Sequence, residues 1–253
     1  MTEPRNLCAI AVMAKAPQPG RAKTRLAPPL TQEEAATIGA AFLRDVTDNL
    51  AGAAQAAPIA CYAAYAPAGS EALLARHLAP DTQLVLADGS IEAPHRVQGF
   101  GRCLLHAATS LFAMGYGAVA LLNSDSPTLP TALLRQAATA LLTRDDRVVL
   151  GPATDGGYYL IGMKSPHAHL FEDVTWSTAT VADQTRTRAR AIGLEIFEID
   201  AWYDVDDRAA LRRLVDEVTT PAHPRAYAAP FSAKVVAELR LAERLADPVT
   251  ACG

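Results

Sequence analysis

Short apolar runs alternate with helix-like stretches along most of this 253-residue chain, and this alternation limits the possible folds more than any other feature. The first run, residues 7–14, contains no charged residue and predicts a strand that is buried on both faces. Residues 31–51 predict a helix, because Thr31 suits an N-cap and acidic residues follow in the first turn. The alternation predicts an α/β fold whose mostly parallel central sheet is flanked by helices on both faces, with a small β-hairpin excursion.

The predicted elements divide the chain into a main unit and a short C-terminal unit. We expect one domain over residues 1–218, followed by residues 219–253 as a linker and a C-terminal helix that packs on the body or on a partner. Pro221, Pro224 and Pro230 mark the linker. The predicted strands are 7–14, 59–64, 83–87, 118–123, 147–150, 158–163 and 194–199; the predicted helices are 31–51, 70–78, 98–114, 130–143, 178–192, 205–215 and 232–245.

Composition and charge exclude several classes of function. The net charge is −4, which argues against a general nucleic-acid binder. No apolar stretch approaches the roughly 20 residues that cross a bilayer, so no membrane partner is expected. The four cysteines contain no C-x-x-C pair, and this pattern favours reduced thiols and a cytoplasmic location. Those cysteines are Cys8, Cys61, Cys103 and Cys252.

A long basic loop follows the first predicted strand. Residues 15–30 exceed the usual strand-to-helix connection of about 2–6 residues, and long ordered loops in compact domains are usually functional. Positive side chains at the carboxyl edge of an open α/β sheet are typical of sites for phosphorylated ligands. A solvated surface loop is the alternative. The predicted phosphate- or nucleotide-binding residues of this loop are Lys15, Pro17, Gly20, Arg21, Lys23 and Arg25.

Acidic residues follow two later strands. Asp125 comes directly after the most apolar run, 118–123, and should lie at the same edge as the basic loop. A carboxylate there can hold Mg²⁺ or Mn²⁺, although an Asx turn or a helix cap would explain it equally well. Asp204 and Asp206 follow the last predicted strand, and one of them could complete a metal site with Asp125.

Glycine-rich segments supply the remaining candidates. Asp155 precedes Gly156 and Gly157, which could form a plain hairpin turn or let backbone amides approach an anionic or sugar group. A weaker candidate cluster for contacts to a nucleotide or an acceptor consists of Arg96, Gln98, Gly99 and Arg102.

Five segments together carry a family resemblance, and they are 15–26, 124–130, 151–159, 176–178 and 204–206. They resemble the nucleotide-diphospho-sugar transferase (GT-A) superfamily and, more narrowly, a bacterial family of glycosyltransferase-like proteins related to 2-phospho-L-lactate guanylyltransferase. The resemblance extends from about Leu7 to Leu214 and implies a GT-A-type fold for the predicted domain 1–218, with a nucleotide pocket on the loop after the first strand. It also implies a divalent cation held by Asp125 and by Asp204 or Asp206.

These features favour a metal-dependent transferase that uses a nucleotide. In the preferred form, a small phosphorylated or phosphonate acceptor attacks an NTP, with Lys23 and Asp125 assisting the reaction. Glycosyl transfer from an NDP-sugar is the alternative, with Asp155 as the candidate base. A non-catalytic nucleotide-binding module is a third hypothesis. The expected partners are small-molecule substrates, with no nucleic acid and no membrane, and a homodimer is left open.

Overall fold

The computed structural model describes residues 3–143, 145–220 and 225–246. Within them, seven strands form one sheet in the order β3-β2-β1-β4-β6-β5-β7. All neighbouring strands run parallel except β6, which is antiparallel to both β4 and β5. The strands are β1 (Cys8–Ala14), β2 (Ile59–Tyr65), β3 (Gln83–Leu86), β4 (Ala118–Leu122), β5 (Arg147–Pro152), β6 (Tyr158–Met163) and β7 (Glu195–Glu198).

Helices cover both faces of this sheet, and each face has its own hydrophobic cluster. Side chains from α1, α4, α6, α7 and α8 form one cluster, and side chains from α3 and α5 contribute to the other. This arrangement confirms the predicted α/β architecture. The helices are α1 (Gln32–Ala54), α2 (Glu71–Ala75), α3 (Phe100–Ala113), α4 (Thr131–Leu141), α5 (Val181–Ala191), α6 (Arg208–Thr219), α7 (Pro230–Glu238) and α8 (Leu241–Arg244).

The register of the central strands brings several loops to one edge of the sheet. Val12 of β1 lies beside Leu122 of β4, so these parallel strands end at the same edge of the sheet, with β1 two residues longer. Strand β6 runs in the opposite direction, and its start therefore reaches the same edge, where the backbone N–H of Asn123 donates to the carbonyl of Tyr159 at 2.8 Å. Consequently the loops after β1 and β4 and the turn between β5 and β6 lie close together. The hairpin of β5 and β6 is part of the main sheet.

The C-terminal part differs from its prediction. The prediction of a single helix at 232–245 is wrong. Helix α7 ends near Leu239, and Arg240 adopts a left-handed backbone with φ of 52° before α8. Helix α7 packs on the body, since the Asp45 carboxylate of α1 accepts hydrogen bonds from the backbone N–H groups of Phe231 and Ser232. The linker prolines Pro221 and Pro224 and residue Cys252 lie outside the described residues, and the domain boundary at 218 stays a prediction.

Two further helices begin later than predicted. Helix α5 begins at Val181 rather than 178, and α6 begins at Arg208 rather than 205, with Asp207 as its N-cap. Residues 204–206 are therefore a loop at the sheet edge. Within the described residues, no helix has both the length and the apolar character needed to cross a membrane.

Candidate active site

The basic loop after β1 is fixed by apolar side chains at its far end. Leu26 and Leu30 are buried in the core cluster, and residues Thr24–Leu26 form a short 3-10 turn. Lys23 precedes this turn in a left-handed conformation with φ of 49°. A lysine in that region of backbone space is held there by its surroundings, and its side-chain contacts show how.

The Lys23 ammonium lies between two carboxylates. Its Nζ is 2.8 Å from Oδ1 of Asp125 and 2.7 Å from Oδ1 of Asp206, and it also donates to the carbonyl of Val205 at 2.8 Å. The Lys23 side chain is only 9% exposed. Burial by itself lowers the pKa of Lys23, but the charges and hydrogen bonds of the two carboxylates outweigh it, and the net pKa lies above the ordinary value. Lys23 therefore remains charged.

Asp125 is positioned by the end of β4 and by the late loop. Its carbonyl accepts a hydrogen bond from the backbone N–H of Val205 at 2.8 Å, and the Ser124 hydroxyl lies 3.0 Å from its Oδ1. A fully buried strand followed by a short polar loop thus presents a carboxylate at the sheet edge. The Asp125 side chain is 31% exposed, so one part of it faces the solvent-filled cleft.

Asp204 lies in a concentrated negative field. The pKa of Asp204 is raised to about 6, chiefly because its carboxylate is buried. Repulsion from the carboxylates of Asp155 and Asp206 raises it further, and Asp125 contributes in the same direction. The Asp155 carboxylate is exposed and accepts a hydrogen bond from the backbone N–H of Gly157 at 2.8 Å. Four carboxylates from three separate loops therefore share one region, and the Lys23 ammonium compensates two of them directly.

One cleft of about 960 Å³ contains most of the predicted residues. Its volume is within the usual range for small-molecule sites. It brings together basic side chains from the loop after β1 and acidic side chains that lie 100 or more residues further along the sequence. The predicted residues that line it are Lys15, Pro17, Lys23, Arg25, Gly99, Asp125, Asp155, Gly157, Asp204 and Asp206.

Four predicted residues do not line this cleft. Gly20 and Arg21 lie on the exposed part of the basic loop, and the Gln98 side chain donates to the His95 carbonyl at 3.0 Å. Gly156 has φ of 92°, and a Cβ there would lie 2.1 Å from the carbonyl oxygen of Ala179. A glycine is therefore required at position 156 for close packing against the backbone of Ala179. This packing accounts for Gly156 with no need for a contact to a ligand.

Sequence reasoning assigned no role to an aromatic pair that lines the same cleft. Phe100 and Trp176 both line the cleft, with ring centroids 5.4 Å apart in an edge-to-face arrangement. The segment that carries Trp176 is fixed to the segment that precedes α3, because Arg96 pairs with Asp173 and the Asp173 N–H donates to the Arg96 carbonyl. The Trp-Ser-Thr segment 176–178 was part of the family resemblance, and an aromatic residue within such a segment was the available signal.

The donor set fits a hard divalent cation in its chemistry. The atoms that converge on the Lys23 ammonium are two carboxylate oxygens, from Asp125 and Asp206, and the carbonyl oxygen of Val205. Mg²⁺ and Mn²⁺ prefer oxygen ligands of these kinds. As the side chains stand, the described part of the chain contains no group of three or more His, Cys, Asp or Glu residues that could hold a metal ion. The ammonium is a stand-in cation between the two carboxylates.

Sequence comparison identifies a bacterial family. Residues 49–178, more than half of the chain, match the family model described as "Uncharacterized protein conserved in bacteria (DUF2064)". That match includes Asp125, Asp155 and Trp176, while Lys23 and Asp206 lie outside it. A search of curated proteins found no match.

Comparison with solved structures shows the fold. A crystal structure from Desulfovibrio desulfuricans G20, described as a "putative nucleotide-diphospho-sugar transferase", has 27% sequence identity and a TM-score of 0.74, and the match covers 92% of this chain and 97% of that chain. The chain therefore has the nucleotide-diphospho-sugar transferase fold.

Two other solved structures have lower similarity. A CMP:2-keto-3-deoxy-manno-octonic acid synthetase complexed with CTP has 12% identity and a TM-score of 0.49, covering 82% of this chain and 96% of that one. A cytidylyltransferase from Leptospira borgpetersenii has 9% identity and a TM-score of 0.49, and the match covers 96% of this chain and 98% of that chain. These two similarities are too remote to support an inference about activity.

Proposed function

This chain belongs to the DUF2064 family, and we propose that it is a divalent-cation-dependent transferase acting on a nucleotide, with nucleotidyl transfer from an NTP as the preferred reaction. The observation that carries the proposal is the cleft itself. Lysine and arginine side chains from the loop after β1 share it with the carboxylates of Asp125, Asp204 and Asp206. Cationic groups bind phosphates, and carboxylates bind the cation that accompanies a triphosphate.

In the proposed reaction, an oxygen of a phosphate or phosphonate acceptor attacks the α-phosphorus of the NTP. A new O–P bond forms, the bond between the α-phosphorus and its bridging oxygen breaks, and pyrophosphate leaves. Such an acceptor is already ionised, so no general base is required. Lys15, Lys23 and Arg25 bind and orient the triphosphate, and this positioning supplies most of the catalysis in phosphoryl transfer.

Asp125 and Asp206, with Asp204 beside them, are the residues that would hold Mg²⁺ or Mn²⁺. A bound cation of this kind stabilises negative charge on phosphoryl oxygens. Support for this set comes from the oxygen atoms that already converge on the Lys23 ammonium. The sequence resemblance to the 2-phospho-L-lactate guanylyltransferase-related family favours the same assignment.

Glycosyl transfer from an NDP-sugar is the second candidate. The specific observation in its favour is the exposed Asp155 carboxylate, which lines the same cleft and is available as a base for a hydroxyl acceptor. The solved structure at 27% identity is described by a sugar-transferase name, which also supports this candidate.

The leaving product distinguishes the two reactions. The protein is incubated with Mg²⁺, a panel of NTPs and NDP-sugars, and phosphorylated or hydroxylic acceptors, and the released products are separated by anion exchange. We expect pyrophosphate, and we expect Asp125→Asn to reduce its release at least a hundredfold, because the cation loses a ligand. Release of NDP would instead establish glycosyl transfer. Release of neither product across the panel would contradict both candidates and favour a non-catalytic nucleotide-binding module.

A further inference from the structure

The ammonium of Lys23 is engaged within the protein. It donates hydrogen bonds to Asp206 Oδ1 at 2.7 Å and to the Val205 carbonyl at 2.8 Å, and it forms an ion pair with Asp125 Oδ1 at 2.8 Å. The side chain is also largely buried. In this arrangement the ammonium is directed at acceptors of the protein rather than at a phosphate, although the loop position of Lys23 suits phosphate binding.

The same position is the one that a divalent cation needs. Mg²⁺ bound by both carboxylates would have to approach the oxygens that the ammonium now contacts, and two cations cannot share those oxygens without strong repulsion. Lys23 has a flexible four-carbon side chain that can redirect its charge. Phosphate oxygens are equally good acceptors for its protons.

We propose that Lys23 is the resident cation of the Asp125–Asp206 pair and excludes a divalent cation until the phosphates of a nucleotide draw the ammonium away. This inference rests on the proposed function, since it specifies the order in which that site is filled. The nucleotide and the cation then enter as a pair, and the free protein has low affinity for the cation alone. The negative charge of the two carboxylates is thereby compensated at every stage. Lys23 compensates it before the nucleotide binds, and the divalent cation does so afterwards.

Mn²⁺ binding in the absence of nucleotide tests the exclusion. Free Mn²⁺ is measured by electron paramagnetic resonance during titration of the wild type, Lys23→Met and Lys15→Met. Methionine keeps much of the side-chain length without the charge. We expect Lys23→Met to bind Mn²⁺ at least tenfold more tightly than the wild type, and Asp125→Asn in the Lys23→Met background to remove that gain. Lys15→Met is the matched control, because Lys15 lines the cleft but contacts neither carboxylate in the described structure; its affinity should stay within about twofold of the wild type.

Equal Mn²⁺ affinity in the wild type and Lys23→Met would overturn the inference, and so would the absence of binding in both. Lys23→Gln provides a second neutral variant, and thermal unfolding of each variant checks that it is folded. Neither Mn²⁺ binding nor thermal unfolding depends on turnover. A protein with the expected Mn²⁺ behaviour but no product would refute the proposed function alone, whereas turnover with equal affinities would refute only the role of Lys23.

The wild type itself provides an independent measurement. The ¹⁵N resonance of a buried, hydrogen-bonded lysine ammonium is observable by nuclear magnetic resonance when its protons exchange slowly. We expect millimolar Mg²⁺ alone to leave the Lys23 resonance in place, and Mg²⁺ with inorganic tripolyphosphate to shift it. Displacement by Mg²⁺ alone would overturn the inference.

Discussion

Aromatic side chains at the edge of a charged cleft need a reason, because burial would stabilise them. Phe100 is 45% exposed, and Trp176 is partly exposed beside it. The indole ring of Trp176 packs closely on Gly101 of α3, since a Cβ added there would lie only 3.1 Å from the ring. An aromatic surface fixed in this way suits a ligand with a ring, such as the base or sugar of a nucleotide.

Trp176 should therefore report on ligand binding. The chain has two tryptophans, and Trp202 is 5% exposed, so a ligand in the cleft can contact only Trp176. We expect the ribonucleoside triphosphates with Mg²⁺ to change the tryptophan fluorescence of the wild type and of Trp202→Phe, but not of Trp176→Phe. Trp176→Ala should weaken binding by roughly 0.5–1.5 kcal/mol, the usual contribution of an aromatic contact. A fluorescence change that persists in Trp176→Phe would place the ligand elsewhere.

Gly151 shows a different constraint at a single residue. A Cβ on Gly151 in β5 would lie 2.4 Å from the ring of Tyr159, and that ring is fully buried with its hydroxyl donating to the Asp200 carbonyl at 2.8 Å. We expect Gly151→Ala to lower the free energy of unfolding by about 1–3 kcal/mol through overpacking. Gly52→Ala in α1 is the control, because nothing lies within 4 Å of its added Cβ. Gly52→Ala should leave the free energy of unfolding unchanged or raise it by up to about 1 kcal/mol. Equal effects in urea unfolding would contradict this account.

The sequence predicted which residues would share an edge, but not which of them would touch. The carboxyl ends of parallel strands meet at one edge, and this rule suffices to place Lys23 and Asp125 in the same region. The ion pairs of Lys23 span more than 100 residues of sequence, and they depend on side-chain directions that no local pattern encodes. The aromatic pair Phe100–Trp176 was missed for the same reason.

At the scale of elements, local signals located helix starts where a cap was present. Thr31 accepts a hydrogen bond from the Glu34 N–H at 3.2 Å, and the Glu34 carboxylate accepts one from the Thr31 N–H at 2.9 Å. This capping box begins α1 close to where the sequence predicted. Helix α6 begins later than predicted, because the Val205 N–H donates to the Asp125 carbonyl, a contact that the local sequence does not reveal.

Loss of the α1 cap should be measurable. We expect Thr31→Ala to lower the free energy of unfolding by about 1 kcal/mol, since an N-terminal N–H of the helix loses its acceptor. For a chain of this length, the melting temperature should fall by roughly 2–4 °C. Thr37→Ala is the matched control, because the Thr37 hydroxyl bonds only to the Glu33 carbonyl within the same helix. An equal loss of stability in both variants, measured by calorimetry, would show that capping is not the cause.

At the scale of the whole molecule, the C-terminal helices are connected to the basic loop. The Arg244 guanidinium of α8 pairs with Glu34 at 2.8 Å and donates to the Pro29 carbonyl at 3.1 Å. Pro29 lies at the far end of the loop that carries Lys23. The two elements are more than 200 residues apart in sequence, and their contact joins α8 to the end of the loop. Composition and periodicity predicted a C-terminal helix but could not predict this docking.

If this contact holds the loop, its removal should loosen residues that line the cleft. We expect Arg244→Met to make amide hydrogen exchange in residues 23–30 several-fold faster, because the lost ion pair and backbone hydrogen bond together contribute roughly 1 kcal/mol. Arg240→Met is the control, since Arg240 pairs only with Glu243 among the described ion pairs. The same loosening in both variants would attribute the effect to charge rather than to the contact with Pro29. Unchanged exchange in Arg244→Met would mean that Leu26 and Leu30, which are buried in the core, are sufficient to fix the loop.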